Sequence, residues 1–264
     1  MRNVRIQIAY DGSRFHGWQR QEGFDSVQET VEIALESLVS SHVTVFGAGR
    51  TDAGVHALGQ VAHFHVDTAL DDDRLRHALN AHLPEGVIVR RLETCADDFH
   101  AQFDARGKRY AYRVETGRFR LPFPPLYSHF VRDPLDLEAM RAAAREFLGQ
   151  QDFASLATAG SPRKSTVRTI RSLKIVARRS AFAIVVEGDG FLYNMVRTIA
   201  GTLLDVGRGK LDAARVREIL DARDRREAAA TAPPEGLYLV SVLYEPRAFR
   251  GSDRGPRGVP GVFR

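Results

Sequence analysis

A single cysteine, Cys95, rules out an internal disulfide and a cysteine-rich metal site in this chain of 264 residues. Lysine is nearly as scarce. Only Lys108, Lys164, Lys174 and Lys210 occur, so four of the 38 basic residues are lysines and the other 34 are arginines. No apolar run approaches the roughly 20 residues that a membrane-spanning helix needs, and the first residues lack the basic, long apolar and small-residue pattern that directs secretion. A cytoplasmic protein without a membrane partner is expected. No serine stands in a nucleophile elbow, and Cys95 has no catalytic motif around it.

With 44% hydrophobic and 27% charged residues, the composition is that of a soluble globular chain, large enough for one big domain or two modest ones. The formal charge of +5 is carried by arginine, which forks onto phosphates and stacks on bases better than lysine does. A GC-rich genome gives the same bias, so the distribution of the arginines matters more than their number.

Alternation of apolar and polar residues from Val4 to Tyr10 predicts a strand that stops at Asp11-Gly12. Ser13 to Arg20 has no regular period and mixes Arg14 and Arg20 with Phe15, His16 and the lone Trp18. Such a loop can clamp RNA, with cations on phosphates and rings on bases, or close over the core. Ser26 and Glu29 form a capping box ahead of Val31, Ala34, Leu35, Leu38 and Val39 at helical spacing. Val43, Val45 and Phe46 predict a short strand, and Leu58 to Val66 another that interleaves His63 and His65. Asp71, Asp72 and Asp73 open a helix that Pro84 and Gly86 stop, and a strand follows over Val87 to Leu92.

Lys108 to Thr116 begins a second round, with Tyr110, Tyr112 and Val114 on one face of a strand. A helix is expected from about Asp136 to Leu148, strands over Ser172 to Val176 and Ala181 to Glu187, two helices, and a last strand over Leu237 to Tyr244. The basic segment Arg163 to Arg171, which includes Arg168, reads as a solvated edge or a phosphate contact. The similar order of the halves suggests two related α/β units, 1–105 and 106–246, with a cleft between them and a flexible basic tail over 247–264.

One stretch stands out from this scaffold. Gly47-Ala-Gly-Arg-Thr-Asp-Ala-Gly54 places a lone carboxylate, Asp52, in a glycine-hinged connection between strands, with Arg50 two positions away. Asp52 can fold back on its own turn, as Asp often does, or it can be a reacting group. A dinucleotide loop fails on spacing, because Asp52 stands where the third glycine belongs and a strand follows instead of a helix. His56, His63 and His65 lack an acid or cysteine to complete a metal set, so no metal is expected. Further on, Met195, Ile199 and Leu203 mark a buried helical stripe beside Arg197, which shares a face with Tyr193, Ala200 and Gly201. Arg197 either lays its stem over that apolar face or points inward and needs an anion.

These residues resemble the tRNA pseudouridine synthase A family. The similarity runs from Tyr10-Asp-Gly12 and Gly17-Trp-Gln-Arg20, through Gly47 to His56 and Gly59-Gln-Val-Ala-His-Phe64, to Lys108-Arg-Tyr110, Phe191 to Arg197 and Ala232-Pro-Pro-Glu-Gly-Leu237. The resemblance implies the pseudouridine synthase fold: α/β (α+β), two similar subdomains whose mainly antiparallel sheets join into one extended sheet, with helices on the outer faces. It implies that Asp52 is the catalytic aspartate, that Tyr110 stacks on the target uracil and can move a proton, and that Arg197 pairs with Asp52. Arg50, Arg14, Arg20, Trp18 and Arg168 would contact RNA. It further implies isomerisation of uridines at tRNA positions 38, 39 and 40 by a homodimer without metal or cofactor. Gln102 replaces an expected Arg and Gln151 an expected His, which bears on RNA contacts more than on the chemistry. The alternative from another class is an RNA-binding protein without chemistry.

Overall fold

A computed structural model describes residues 1–120, 126–158, 165–178, 181–245 and 249. The tail expected over 247–264 therefore lies, apart from Phe249, outside the described residues, as do Arg163 and Lys164. The chain forms two compact units. Among the described residues, one comprises Met1–Arg106 with residues 238–245 and Phe249, and the other Gly107–Leu237. Both are mixed α/β layers with mainly antiparallel strands, as expected.

The first unit runs β1 (Arg2–Tyr10), α1 (Val27–Val39), β2 (Phe46–Gly47), β3 (His56–Val66), α2 (Asp72–His82) and β4 (Val87–Thr94). β1 is central and pairs antiparallel with both β3 and β4. The period-2 pattern read from the sequence is the reason: Val4, Ile6 and Ile8 share one fully buried face. The apolar stripes of α1 (Val31, Leu35) and α2 (Leu75, Leu79) are fully buried too. Capping fixes where both helices start. Ser26 accepts from the Glu29 amide at 3.4 Å, and Asp71 from the Arg74 amide at 2.8 Å.

Three expectations change here. The strand before the Asp52 loop shrinks to Phe46–Gly47. Val43 and Val45 are buried, but the Val45 amide donates to Glu32 at 3.0 Å and its carbonyl accepts from Gln28 at 3.1 Å, so side chains of α1 take the groups a ladder would use. The last strand, β10 (Leu237–Leu243), lies with the first unit instead of completing the second: it pairs parallel with β3, Tyr238 opposite His56. Phe249 joins Ala48, Val61, Ala101 and Tyr244 in a buried cluster, with the Arg5 guanidinium 5.3 Å from its ring, so this residue of the expected tail is core.

The second unit runs β5 (Gly107–Thr116), β6 (His129–Val131), α3 (Leu137–Ala144), β7 (Gly149–Asp152), β8 (Val167–Arg178), β9 (Ala181–Gly188), α4 (Met195–Gly207) and α5 (Ala213–Ala222). β9 sits between β5 and β8, antiparallel to each. α3 ends earlier than its periodicity suggests. A 3-10 turn carries the chain to Phe147, Leu148 is 40% exposed instead of inward, and Gly149 turns the backbone at φ +87°. Gln151 makes the stop: its amide donates to the carbonyls of Glu146 and Leu148, and its oxygen accepts from Arg217. Gln151 thus serves the packing of this unit. The end of the basic segment, Val167 to Arg171, is part of β8, which is longer than expected.

His63 makes the first unit pH-sensitive. Its ring is 3% exposed, accepts the Ala101 amide at 3.2 Å and hydrogen-bonds the backbone at Phe46, between Phe46 at 5.2 Å and His100 at 4.6 Å. Burial, reinforced by His100 and His65, lowers its pKa to about 4. The unfolded chain binds this proton near pH 6.5, so the stabilisation is complete above that pH and is lost as pH falls towards 4. Urea unfolding is expected to show wild type losing about 2 kcal/mol more than His63→Gln between pH 7 and pH 5. Equal losses in the two proteins would place the titration elsewhere.

Candidate active site

The Asp52 loop is seated on the loop that follows β1, and glycines let the two backbones touch. A Cβ on Gly12 would lie 2.1 Å from the Val55 carbonyl oxygen, and one on Gly17, whose φ is +100°, 2.5 Å from that of Thr51. The Trp18 amide donates to the Thr51 carbonyl at 3.1 Å, and the Gly54 amide to that of Phe15 at 3.3 Å. Asp52 itself opens a turn in which its carbonyl accepts from Val55 at 3.2 Å, with Gly54 at φ +76°. Its side chain is half-buried between the buried Thr51 and the exposed Ala53. Backbone groups hold the turn, and the carboxylate stands at the boundary between interior and solvent.

Trp18 has a different place from the one expected of an RNA contact. It is 2% exposed, its indole covers Gly47, where a Cβ would lie 2.5 Å away, and it packs 6.2 Å from Tyr10. The ring is a wall of the loop and offers no open face. Arg20 reaches the carboxylate of Glu32 at 2.9 Å, and Glu32 is only 2% exposed. Periodicity did not single out Glu32, because an acid inside a helix repeat normally marks the wet face. Arg14 folds back towards Asp11 and Glu85, 3.9 and 3.7 Å away. Arg50 and Gln102 are both exposed.

Tyr110 and Arg197 belong to the second unit. Tyr110 is buried in β5, with Phe191 edge-on at 5.2 Å. Arg197, half-buried on α4, donates from Nε to the Ala232 carbonyl and from Nη1 to Asn194 Oδ1, each at 2.8 Å. The fork of the guanidinium is thereby fixed in direction. Asn194 holds the left-handed conformation that caps α4, φ +62°, and its amide donates to Thr158 at 3.0 Å. The close approach expected near Arg197 is present: a Cβ on Gly201 would meet the Ala230 carbonyl oxygen at 2.0 Å. Tyr112 lies near Arg197, donates to the Pro233 carbonyl, and burial holds its phenol protonated far above the usual range.

Two cations of this unit face each other near the start of β5. Burial, and then Arg168, lower the Lys108 pKa, as for an ammonium that lacks water and faces a like charge. Arg168 donates to the carbonyls of Ser165 and Val167. Among the described residues no group of three or more His, Cys, Asp or Glu side chains is placed to hold a metal ion, and no helix is long and apolar enough to cross a membrane. His56 serves the packing of the first unit. Its Nδ1 accepts the Gly12 amide at 3.0 Å and its ring stacks on Tyr238 at 4.7 Å.

Comparison with known proteins points the same way as these residues. A family model described as tRNA pseudouridine synthase matches residues 6–104 and 143–245, which include Asp52 and Arg197. A protein named tRNA pseudouridine synthase A from Acetivibrio thermocellus is 43% identical over 244 residues, 92% of this chain and the whole of that one. Proteins of the same name from Thermoanaerobacter sp. and Limosilactobacillus fermentum are each 42% identical, over 244 and 258 residues, 92% and 96% of this chain, and each is covered in full.

Proposed function

The chain belongs to the tRNA pseudouridine synthase family, and from that premise we propose that its isomerisation of uridine to pseudouridine in tRNA runs on Asp52. The reaction breaks the bond from uracil N1 to ribose C1′, turns the base, joins C5 to C1′, and moves the C5 proton to solvent while N1 takes a proton up. Product and substrate are isomers, so no oxidant and no energy source enter the balance. The chain has to supply an ionised carboxylate, a surface for the detached base and a path for one proton.

Asp52 is the observation that carries the reading: a half-buried carboxylate on a turn whose backbone is pinned on both sides, inside the matched residues. Such a turn holds the group in a reactive direction before substrate arrives. Arg197 supplies the positive charge that keeps a carboxylate ionised, and its fork is already aimed by Ala232 and Asn194. Tyr110 supplies the aromatic face for uracil and a hydroxyl for the C5 proton. The target base leaves its stack to be reached, and Arg50 holds the opened backbone. Arg14, Arg20 and Arg168 track phosphates.

The substrate is the anticodon arm, with uridines 38, 39 and 40 as targets, and the enzyme acts as a cytoplasmic homodimer. Tritium release from anticodon arms carrying uridine labelled at C5 tests this. Release is expected from arms with uridine at those positions and not from arms with cytidine there; equal release from both would overturn the assignment of substrate.

A further inference from the structure

The Asp52 loop is also braced from beneath by side chains with no part in the chemistry described so far. Tyr10, Thr51 and Gln60 are all buried, and they join the end of β1 to β3 and to the loop. The Tyr10 hydroxyl lies 2.7 Å from Thr51 Oγ1 and also hydrogen-bonds the Gln60 side chain. Gln60 Nε2 donates to the Gly49 carbonyl at 2.7 Å, and Gln60 Oε1 accepts the Val61 amide at 3.2 Å.

Because Oε1 accepts from an amide, the amide nitrogen of Gln60 is the end that donates to Gly49. The Tyr10 and Thr51 hydroxyls share a hydrogen bond that either oxygen can donate. Burial raises the Tyr10 pKa and keeps its phenol protonated, so the hydroxyl stays a neutral hydrogen-bonding group. A register shift places the ring. Ile8 pairs with Gln60 but Tyr10 with Ala57, one residue further than a regular ladder would put it, and bulges of this kind re-aim side chains. The two anchor points, Gly49 and Thr51, stand on either side of Arg50, and Thr51 directly precedes Asp52.

We propose that Tyr10, acting through Thr51 and Gln60, is a positioning residue that sets the direction of the Asp52 carboxylate. The inference rests on Asp52 as the reacting group. Tyr10→Phe removes one oxygen and keeps the ring. In single-turnover tritium release from tRNA, it is expected to slow the rate constant about 10- to 100-fold, since displacement by about 1 Å is enough for that, while the amplitude and the tRNA affinity stay within about twofold of wild type. A merely weakened fold would reduce the amplitude instead. Thr51→Val is expected to match Tyr10→Phe, Thr51→Ser to restore the rate to within about threefold, and the double variant Tyr10→Phe with Thr51→Val to be no slower than the worse single one, as for members of one chain.

A Tyr10→Phe rate within about twofold of wild type, or additive losses in the double variant, overturns the proposal. Should Tyr10→Phe fail to fold, the contrast between Thr51→Val and Thr51→Ser decides alone, and equal rates for those two overturn it. Asp52→Asn in the same assay separates the layers. An active Asp52→Asn sinks the assignment of Asp52 itself, whereas an inactive Asp52→Asn beside an undiminished Tyr10→Phe sinks only the positioning role.

Discussion

Asp52→Asn is expected to lower the rate of C5 tritium release from tRNA by at least about a thousandfold while leaving tRNA affinity within about fivefold. The substitution is isosteric, and the turn survives it, because the contacts that hold the turn are made by the backbone of Asp52, Thr51 and Gly54. What is lost is the negative charge, which acts either as nucleophile or as base and has no substitute in a neutral amide. RNA affinity should persist because arginines on phosphates carry most of it, and a carboxylate beside those phosphates contributes repulsion. Filter binding of the same labelled tRNA supplies the second number. A variant that binds poorly and reacts in proportion would make Asp52 a structural residue.

Arg197→Lys is expected to lose about 100-fold or more in the rate constant even though the charge is retained, and Arg197→Ala about tenfold more again. The reason is the geometry of the fork. Nε and Nη1 are committed to the Ala232 carbonyl and Asn194 Oδ1, and an ammonium can neither satisfy both acceptors nor keep the planar direction they impose. The alanine variant also leaves both acceptors without this donor, a cost of about 1–3 kcal/mol in stability, so unfolding midpoints belong beside the kinetics. Single-turnover assays at saturating tRNA separate rate from binding. A lysine variant with the wild-type rate would reduce Arg197 to a source of charge.

Much of the scaffold was legible because local rules govern it. Ser26, Asp71 and Asp212 each accept an amide at a helix start. The stripes of α1, α2 and α4 and the alternation of β1 are sums over neighbours a few residues apart, which the sequence displays directly. The misread elements were decided by partners outside those short windows. Val45 looks like a strand residue until Glu32 and Gln28 take its amide and carbonyl. Leu148 looks like the end of a helix until Gln151, itself held by Arg217, captures the carbonyls around it.

For the candidate site, the sequence determined the reaction class through its resemblance to a known family, and with it the proposed residues: a carboxylate in a glycine turn, a tyrosine at the start of the second unit, and an arginine beside a small-residue helix face. A resemblance rests on identities within short motifs, and no fold is needed to read it. Only the tertiary structure decided what holds them. It turned Trp18 from a base-stacking candidate into a buried wall, made Glu32 the anchor of Arg20, and set Tyr10 beneath Thr51, 41 residues away, at 2.7 Å. Contacts across such separations follow no period along the chain. They exist only when a sheet register such as Ile8 with Gln60 brings distant residues to adjacent places, and that register is set by the burial of whole faces, not by any neighbouring residue.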